Sequence, residues 1–86
     1  MEEGILIELF TSPACPYCPR AKEVAERIVR RIPGVILIER DISEPENAAI
    51  ARSYGIQGVP AMVINRKYRI LGVPREEQLI HYLSSL

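Results

Sequence analysis

The residues best able to do chemistry are Cys15 and Cys18, the chain's two cysteines, in the stretch Thr11-Ser12-Pro13-Ala14-Cys15-Pro16-Tyr17-Cys18-Pro19. Two thiols at this spacing can close a disulfide and reopen it, exchanging two electrons with another disulfide. The thiolate is the attacking species, so the site needs something that favours the anion. A helix start supplies it: its first amide N–H groups lack intrahelical partners, and the helix dipole favours negative charge there. With a helix beginning near Pro16, the amides of Tyr17 and Cys18 can point at the Cys15 sulfur. Pro16 and Pro19 then fall in the first turn, where a missing N–H costs no helical bond. A free thiol with a pKa of ~8.5 is about 3% ionised at pH 7, and one of ~7 about 50%. Intrinsic nucleophilicity falls with a Brønsted slope of ~0.4–0.5, so net attack improves only roughly 3-fold. The larger gain is in Cys15 as a leaving group. On this reading Cys15, ahead of the helix, is the exposed attacking nucleophile. Cys18, inside the first turn, is the more buried resolving thiol. Two blander readings compete. A structural bridge closing so small a ring would restrain little chain. A zinc site wants four ligands, and the single His81 lies at the far end of the chain.

The elements that must position this pair are legible around it. Ile5 to Phe10 is a near-continuous apolar run, interrupted by Glu8, and reads as a strand buried on both faces. Ala21, Val24, Ala25, Ile28, Val29 and Ile32 fall on one helix face. Glu23–Arg27 and Glu26–Arg30 are i,i+4 pairs in the favourable order, and Pro33-Gly34 stops the helix. Val35 to Ile38 is a second buried strand running into Glu39-Arg40-Asp41, parallel to the first through a right-handed crossover. Ser43 and Glu46 have capping-box spacing before a helix over about Glu44 to Tyr54, with Gly55 just past its end. Gly58-Val59-Pro60 opens a strand over Ala61 to Asn65; a tight turn at Asn65-Arg66-Lys67 returns it along Tyr68 to Leu71. Gly72-Val73-Pro74 ends the hairpin. A last helix starts near Arg75, with Leu79, Ile80, Leu83 and Leu86 on its apolar face. The order β-α-β-α-β-β-α predicts an α/β fold, a single domain over residues 1–86, with helices on both faces of a mixed sheet.

Composition narrows the partners. Eleven basic and eleven acidic residues leave no net charge, which argues against nucleic acid. The acidic start Met-Glu-Glu-Gly is unlike a secretory signal, and no apolar run reaches the ~20 residues of a membrane helix. The expectation is a cytoplasmic chain with no membrane partner, where Cys-x-x-Cys serves catalysis or metal binding.

A Cys-x-x-Cys after a buried strand and opening a helix is a thioredoxin-like redox motif. The chain resembles the thioredoxin/glutaredoxin family over nearly its whole length. Cys15-Pro16-Tyr17-Cys18 and the trailing Ala21-Lys22 are similar to glutaredoxins. Tyr54-Gly55-Ile56-Gln57-Gly58-Val59-Pro60 is similar to the thioredoxin segment leading into its cis-proline, and Gly72 to the family's glycine after the hairpin. With the Leu9-to-Pro13 lead-in, the nearest likeness is to small archaeal thioredoxin-like proteins.

That resemblance implies a four-stranded mixed sheet with three helices, and a monomeric thiol–disulfide oxidoreductase that reduces protein disulfides. It implies no organic cofactor and no metal; an upstream reductase or a low-molecular-weight thiol would supply the electrons. Pro60 is expected cis, presenting the Val59 backbone to an extended substrate segment, with Pro16, Tyr17 and Gly72 also at the substrate. Tyr17, where thioredoxins have Gly, implies a potential nearer the glutaredoxin range of roughly −200 to −230 mV than about −270 mV. Two departures stand out. Leu9 occupies the position of the family's buried Asp; Glu8, one residue away, should face the other side of the sheet, as a surface or paired carboxylate, with a proton-transfer role as the alternative. Ser12 and Leu71 to Glu76 lack the glutathione-binding residues of glutaredoxins, and Arg20 and Lys22 read as a solvated helix face as readily as a replacement. The alternatives to protein-disulfide reduction are a glutathione-reduced glutaredoxin, and a metal- or cluster-binding module on the same fold. Tyr17 is expected exposed, and Phe10, Tyr54, Tyr68 and Tyr82 in packing roles.

Overall fold

Seven elements follow one another in a computed structural model that describes residues 4–86: β1 (Ile5–Thr11), α1 (Cys18–Arg31), β2 (Val35–Asp41), α2 (Pro45–Ser53), β3 (Ala61–Ile64), β4 (Tyr68–Leu71) and α3 (Glu76–Ser84). Residues 1–3, on which the reading of the acidic start rests, lie outside the described residues. The sheet order is β2-β1-β3-β4. β1 is therefore interior, parallel to β2 and antiparallel to β3, and β3–β4 is the hairpin. The fold is the mixed four-stranded α/β architecture expected.

Alternation along β1 divides the interior, because successive side chains of a strand point to opposite faces. Ile7 and Leu9 pack with Ala21, Ala25 and Ile28 of α1 and Leu79 and Leu83 of α3. Phe10 packs on the other face with Ala51 of α2, Ile56, Ala61 and Val63. Covered on both sides, β1 needs apolar residues in both phases, which explains an apolar run interrupted at Glu8 alone. Ile7, Leu9, Ile28 and Leu79 are each at most 1% exposed. Full burial of such a side chain contributes ~1.5–3 kcal/mol, so the α1/α3 face carries much of the stability.

Boundaries differ from expectation by a residue or two, and the helix shifts have local reasons. α1 starts at Cys18, with Tyr17 as its N-cap, and not near Pro16. Pro19 has no N–H to give the Cys15 carbonyl, and the ladder opens with Ala21 N–H donating to the Tyr17 carbonyl. Ser43 does not cap α2: its N–H donates to Asp41 Oδ1 in a turn, and Glu44 is the N-cap, with Pro45 in the first turn. Helix α2 ends at Ser53, with Tyr54 as C-cap and Gly55 at φ +76°, the left-handed conformation a helix C-terminus favours. The hairpin turn over Asn65-Arg66-Lys67 puts Asn65 and Arg66 at φ 53° and 61°, and the Lys67 N–H donates to the Ile64 carbonyl to close it. Asn65 also accepts the Leu6 N–H through its side chain, tying the turn to β1.

Candidate functional site

Cys15 and Cys18 are joined as a disulfide, with Cα atoms 5.4 Å apart. Cys15 sits in the loop ahead of α1 and is half-buried; Cys18, the first residue of α1, is only 4% exposed. The later helix start changes which amides are free. Pro19 carries no N–H, so the Cys18 and Arg20 amides are the first-turn donors without helical partners. Tyr17 is outside the helix and 59% exposed.

Of the hollows at this end of the molecule, two flank the start of α1. The larger, about 830 Å³, is lined by Tyr17, Val59, Pro60, Gly72 and Val73, with Arg20 of α1 on one wall and Arg75 and Glu76 on the other. Three distant stretches of chain, each singled out in the sequence, thus line one hollow. The Val59–Pro60 bond is cis, and Pro60 is buried while Val59 is half-buried. Gly72 has φ +79°, and a Cβ built there would meet no atom within 4 Å. Backbone conformation, not crowding within the chain, is what calls for glycine. Pro16 is exposed in the turn before α1 and does not line this groove. Three arginines and three glutamates line it, so it carries no net charge.

The smaller hollow, about 360 Å³, holds the cysteines themselves, with Thr11, Lys22, Glu39 and Asp41 around them. Lys22 Nζ is 3.2 Å from Glu39 Oε1, and the Thr11 hydroxyl donates to Glu39 Oε2 at 3.3 Å. Asp41 accepts the Ser43 N–H, and that bond holds its carboxyl below the usual carboxylate pKa. Sequence reasoning placed Lys22 on the helix but did not single out Glu39 or Thr11. The signal that finds them is parallel register, Leu9 opposite Glu39 and Thr11 opposite Asp41, which the residues alone do not announce.

Glu8 is 2% exposed and lies on the α2 face, away from the dithiol. Arg40 Nε donates to its Oε2 at 2.9 Å and the Tyr54 hydroxyl to its Oε1 at 2.8 Å. Asn47 accepts a further bond from Arg40 and donates to the Asp41 carbonyl. Burial, followed by the bond to Glu8, raises the Tyr54 pKa above its ordinary value. Both Glu8 oxygens are thus engaged in joining β1, β2 and α2, the paired role expected of it. Phe10 meets Tyr54 edge-on, and Tyr68 meets Tyr82 likewise, so these rings pack; His81 is exposed on α3. Among the described residues no three His, Cys, Asp or Glu side chains are grouped to hold a metal, and no helix is long and apolar enough to cross a membrane.

A thioredoxin domain family model matches residues 5–84. A probable thioredoxin of Archaeoglobus fulgidus is 44% identical over 82 residues, covering 95% of this chain and 89% of the relative. A thioredoxin of Methanocaldococcus jannaschii is 43% identical over 76 residues, covering 88% of each. Among solved structures, a mutant thioredoxin from Halobacterium salinarum superposes with a TM-score of 0.82 at 23% identity, covering 96% of this chain and 74% of that one. A thioredoxin-2, titled a component of malaria parasite protein secretion machinery, gives 0.85 at 15% identity, covering 100% and 86%. These two structures bear on the fold alone. A Cys-x-x-Cys pair at disulfide distance, in a chain this close to thioredoxins, works by dithiol exchange. The chain belongs to the thioredoxin-domain family, as a thiol–disulfide oxidoreductase that reduces protein disulfides.

Proposed function

We propose that Cys15 makes the first attack on a substrate disulfide and that Cys18 resolves the resulting mixed disulfide, the substrate segment lying along Val59 in the groove rimmed by Tyr17 and Gly72. The observation that carries this assignment is the unequal exposure of the pair: Cys15 is half-buried at the surface, while Cys18 is 4% exposed inside the first turn. An incoming disulfide can reach the first sulfur and not the second. The cycle balances. Cys15 thiolate forms a bond to one substrate sulfur and the other leaves with an electron pair. Cys18 then attacks Cys15, the second substrate sulfur leaves, and the protein holds the disulfide. The half-buried Val59 offers main-chain N–H and C=O groups to an extended segment, as in strand addition. A groove with no net charge suits varied protein segments better than a small anionic thiol such as glutathione. In this reading the chain acts as one domain, as a cytoplasmic monomer, re-reduced by a dedicated reductase.

The test is reduction of a disulfide-bonded protein by the purified chain with a dithiol as electron source. Cys15→Ser should lose activity by at least ~100-fold. Cys18→Ser should instead accumulate a mixed disulfide through Cys15, visible by intact mass. A mixed disulfide through Cys18 in the Cys15→Ser variant reverses the assignment. Turnover with glutathione but with no reductase and no other dithiol favours the glutaredoxin reading.

A further inference from the structure

The exchange obliges Cys18 to lose a proton each time it resolves a mixed disulfide, and Cys18 is nearly closed off from solvent. Glu8 cannot take it. It lies on the α2 face of β1, with both oxygens already accepting bonds from Arg40 and Tyr54. Leu9, on the α1 face, cannot titrate. The register settles which carboxylates share that face: Glu39 is paired with Leu9 and Asp41 with Thr11, and both line the hollow that holds Cys15 and Cys18. Asp41 is committed to its own turn through the Ser43 N–H, and its lowered pKa makes it the poorer acceptor. Glu39 is different. Its side chain is 40% exposed, so it reaches the hollow on one side and bulk water on the other. Thr11 from β1 and Lys22 from α1 hold it there.

Building on the assignment of Cys18 as resolving thiol, we propose that Glu39 is the acceptor of the Cys18 proton, with Lys22 as the cation that changes partner as the proton moves. Before transfer, Lys22 faces an anionic Glu39 beside a neutral thiol. After transfer, Glu39 is neutral and Lys22 faces the Cys18 thiolate. With Asp41 anionic throughout, the hollow holds one positive and two negative charges in both states, so the proton moves without changing the net charge of a partly desolvated place. The Cys18 S–H bond breaks, its proton going to Glu39. The Cys18 thiolate bonds to Cys15 Sγ as the Cys15–substrate bond breaks, and the substrate sulfur leaves with the electron pair. Glu39 then gives the proton to that thiolate or to water. Dithiol and substrate exchange two electrons, and no further reactant is required.

Single-turnover quench experiments on reduced protein mixed with a disulfide-bonded protein, from pH 6 to 9, separate the two steps. Positioned proton transfer contributes ~10²–10⁴-fold in general, and a partly exposed acceptor belongs at the low end. Glu39→Gln should therefore slow resolution at pH 7 by at least ~10-fold, with mixed disulfide accumulating and the first attack by Cys15 within about 2-fold of the parent. The deficit should close as pH rises towards 9, where solvent deprotonates Cys18 directly. Asp41→Asn should resolve normally. The exposed Lys22–Glu39 pair contributes little stability, and the side-chain oxygen left by Asp41→Asn can still accept the Ser43 N–H, so both variants keep the fold. The proposal is overturned by unchanged resolution in Glu39→Gln, by a deficit that is flat with pH, by slowing of both steps alike, or by a larger defect in Asp41→Asn. Failure of the underlying reading looks different: Cys15→Ser would then still form the mixed disulfide.

Discussion

At the residue scale, the carboxylates of Glu8 and Glu39 lie on opposite faces of the sheet and have separate duties. Glu8 is the neighbour along the strand, but alternation turns it to the α2 face, into a buried network with Arg40 and Tyr54. Tyr54→Phe should cost roughly 1.5–3 kcal/mol, the worth of a hydrogen bond to a charged group, because Glu8 Oε1 is left without its donor where water does not reach. It should also change the alkaline limb of stability. Burial and Glu8 raise the folded pKa of Tyr54 above its unfolded value, near 10.0. Above that value the folded state binds more protons than the unfolded one, so stability falls as pH rises. Tyr54 thus contributes fully below pH ~10 and loses its contribution as pH climbs through the folded pKa. Denaturant unfolding at pH 8 and pH 11 checks both points: the parent should lose more stability between them than Tyr54→Phe does.

At the element scale, strands and helices were legible wherever burial alone decides them. The apolar run of β1 and the 3.6-residue period of α1 reflect contact with a core on two sides or one; β2, expected to be buried, is instead an edge strand whose Val35 is buried while Ile36 and Ile38 are exposed. Helix ends were harder, because caps compete. Ser43 had capping-box spacing to Glu46, yet Asp41 claimed its N–H first and moved the N-cap to Glu44. The thiols were legible from residue type and spacing, whereas the Val59–Pro60 segment and Gly72 became candidates through the family resemblance. Glu39 was not legible, since its role depends on the register of a parallel pair set by a long crossover. The β3–β4 turn offers a test of local geometry. Arg66 sits at φ 61°, which costs a side-chain-bearing residue ~1–2 kcal/mol. Gly adopts it freely but loses more entropy on folding, leaving Arg66→Gly stabilising by about 0.5–1 kcal/mol, or roughly 3–6 °C in Tm. Asn65→Gly should gain less, because the Asn65 side chain accepts the Leu6 N–H. Thermal melts of the two variants rank them directly.

For the molecule as a whole, the disulfide is one state of a redox couple, and its potential measures how far the fold favours dithiol over disulfide. With Tyr17 between the cysteines, the expected value is roughly −200 to −230 mV, against about −270 mV for a thioredoxin-type couple. The interval of about 50 mV corresponds to roughly 2.3 kcal/mol of relative preference for the reduced form. Equilibration against glutathione and dithiothreitol buffers measures it, and a value well below −270 mV removes Tyr17 as the explanation. The ion pairs from Arg27 and Arg31 to Glu76, at 3.8 and 2.7 Å, brace α3 against α1 at the groove wall. As surface pairs they are worth ~0–1 kcal/mol each, so they steady that wall more than they stabilise the molecule.

The interior position of β1 also favours one order of assembly. Its pairing with β2 bridges about thirty residues, as from Ile5 to Val35, whereas its pairing with β3 joins Ile7 to Ile64. Closing the longer loop costs more entropy and comes with less help from local contacts. A folding chain can therefore form the β1-α1-β2 unit, dithiol included, before β3 arrives. The groove wall at Val59, Pro60 and Gly72 is delivered only with that last pairing. A nascent or partly unfolded chain would then present reactive thiols with no surface to choose among partners, and selectivity would arrive with the slowest contact in the sheet.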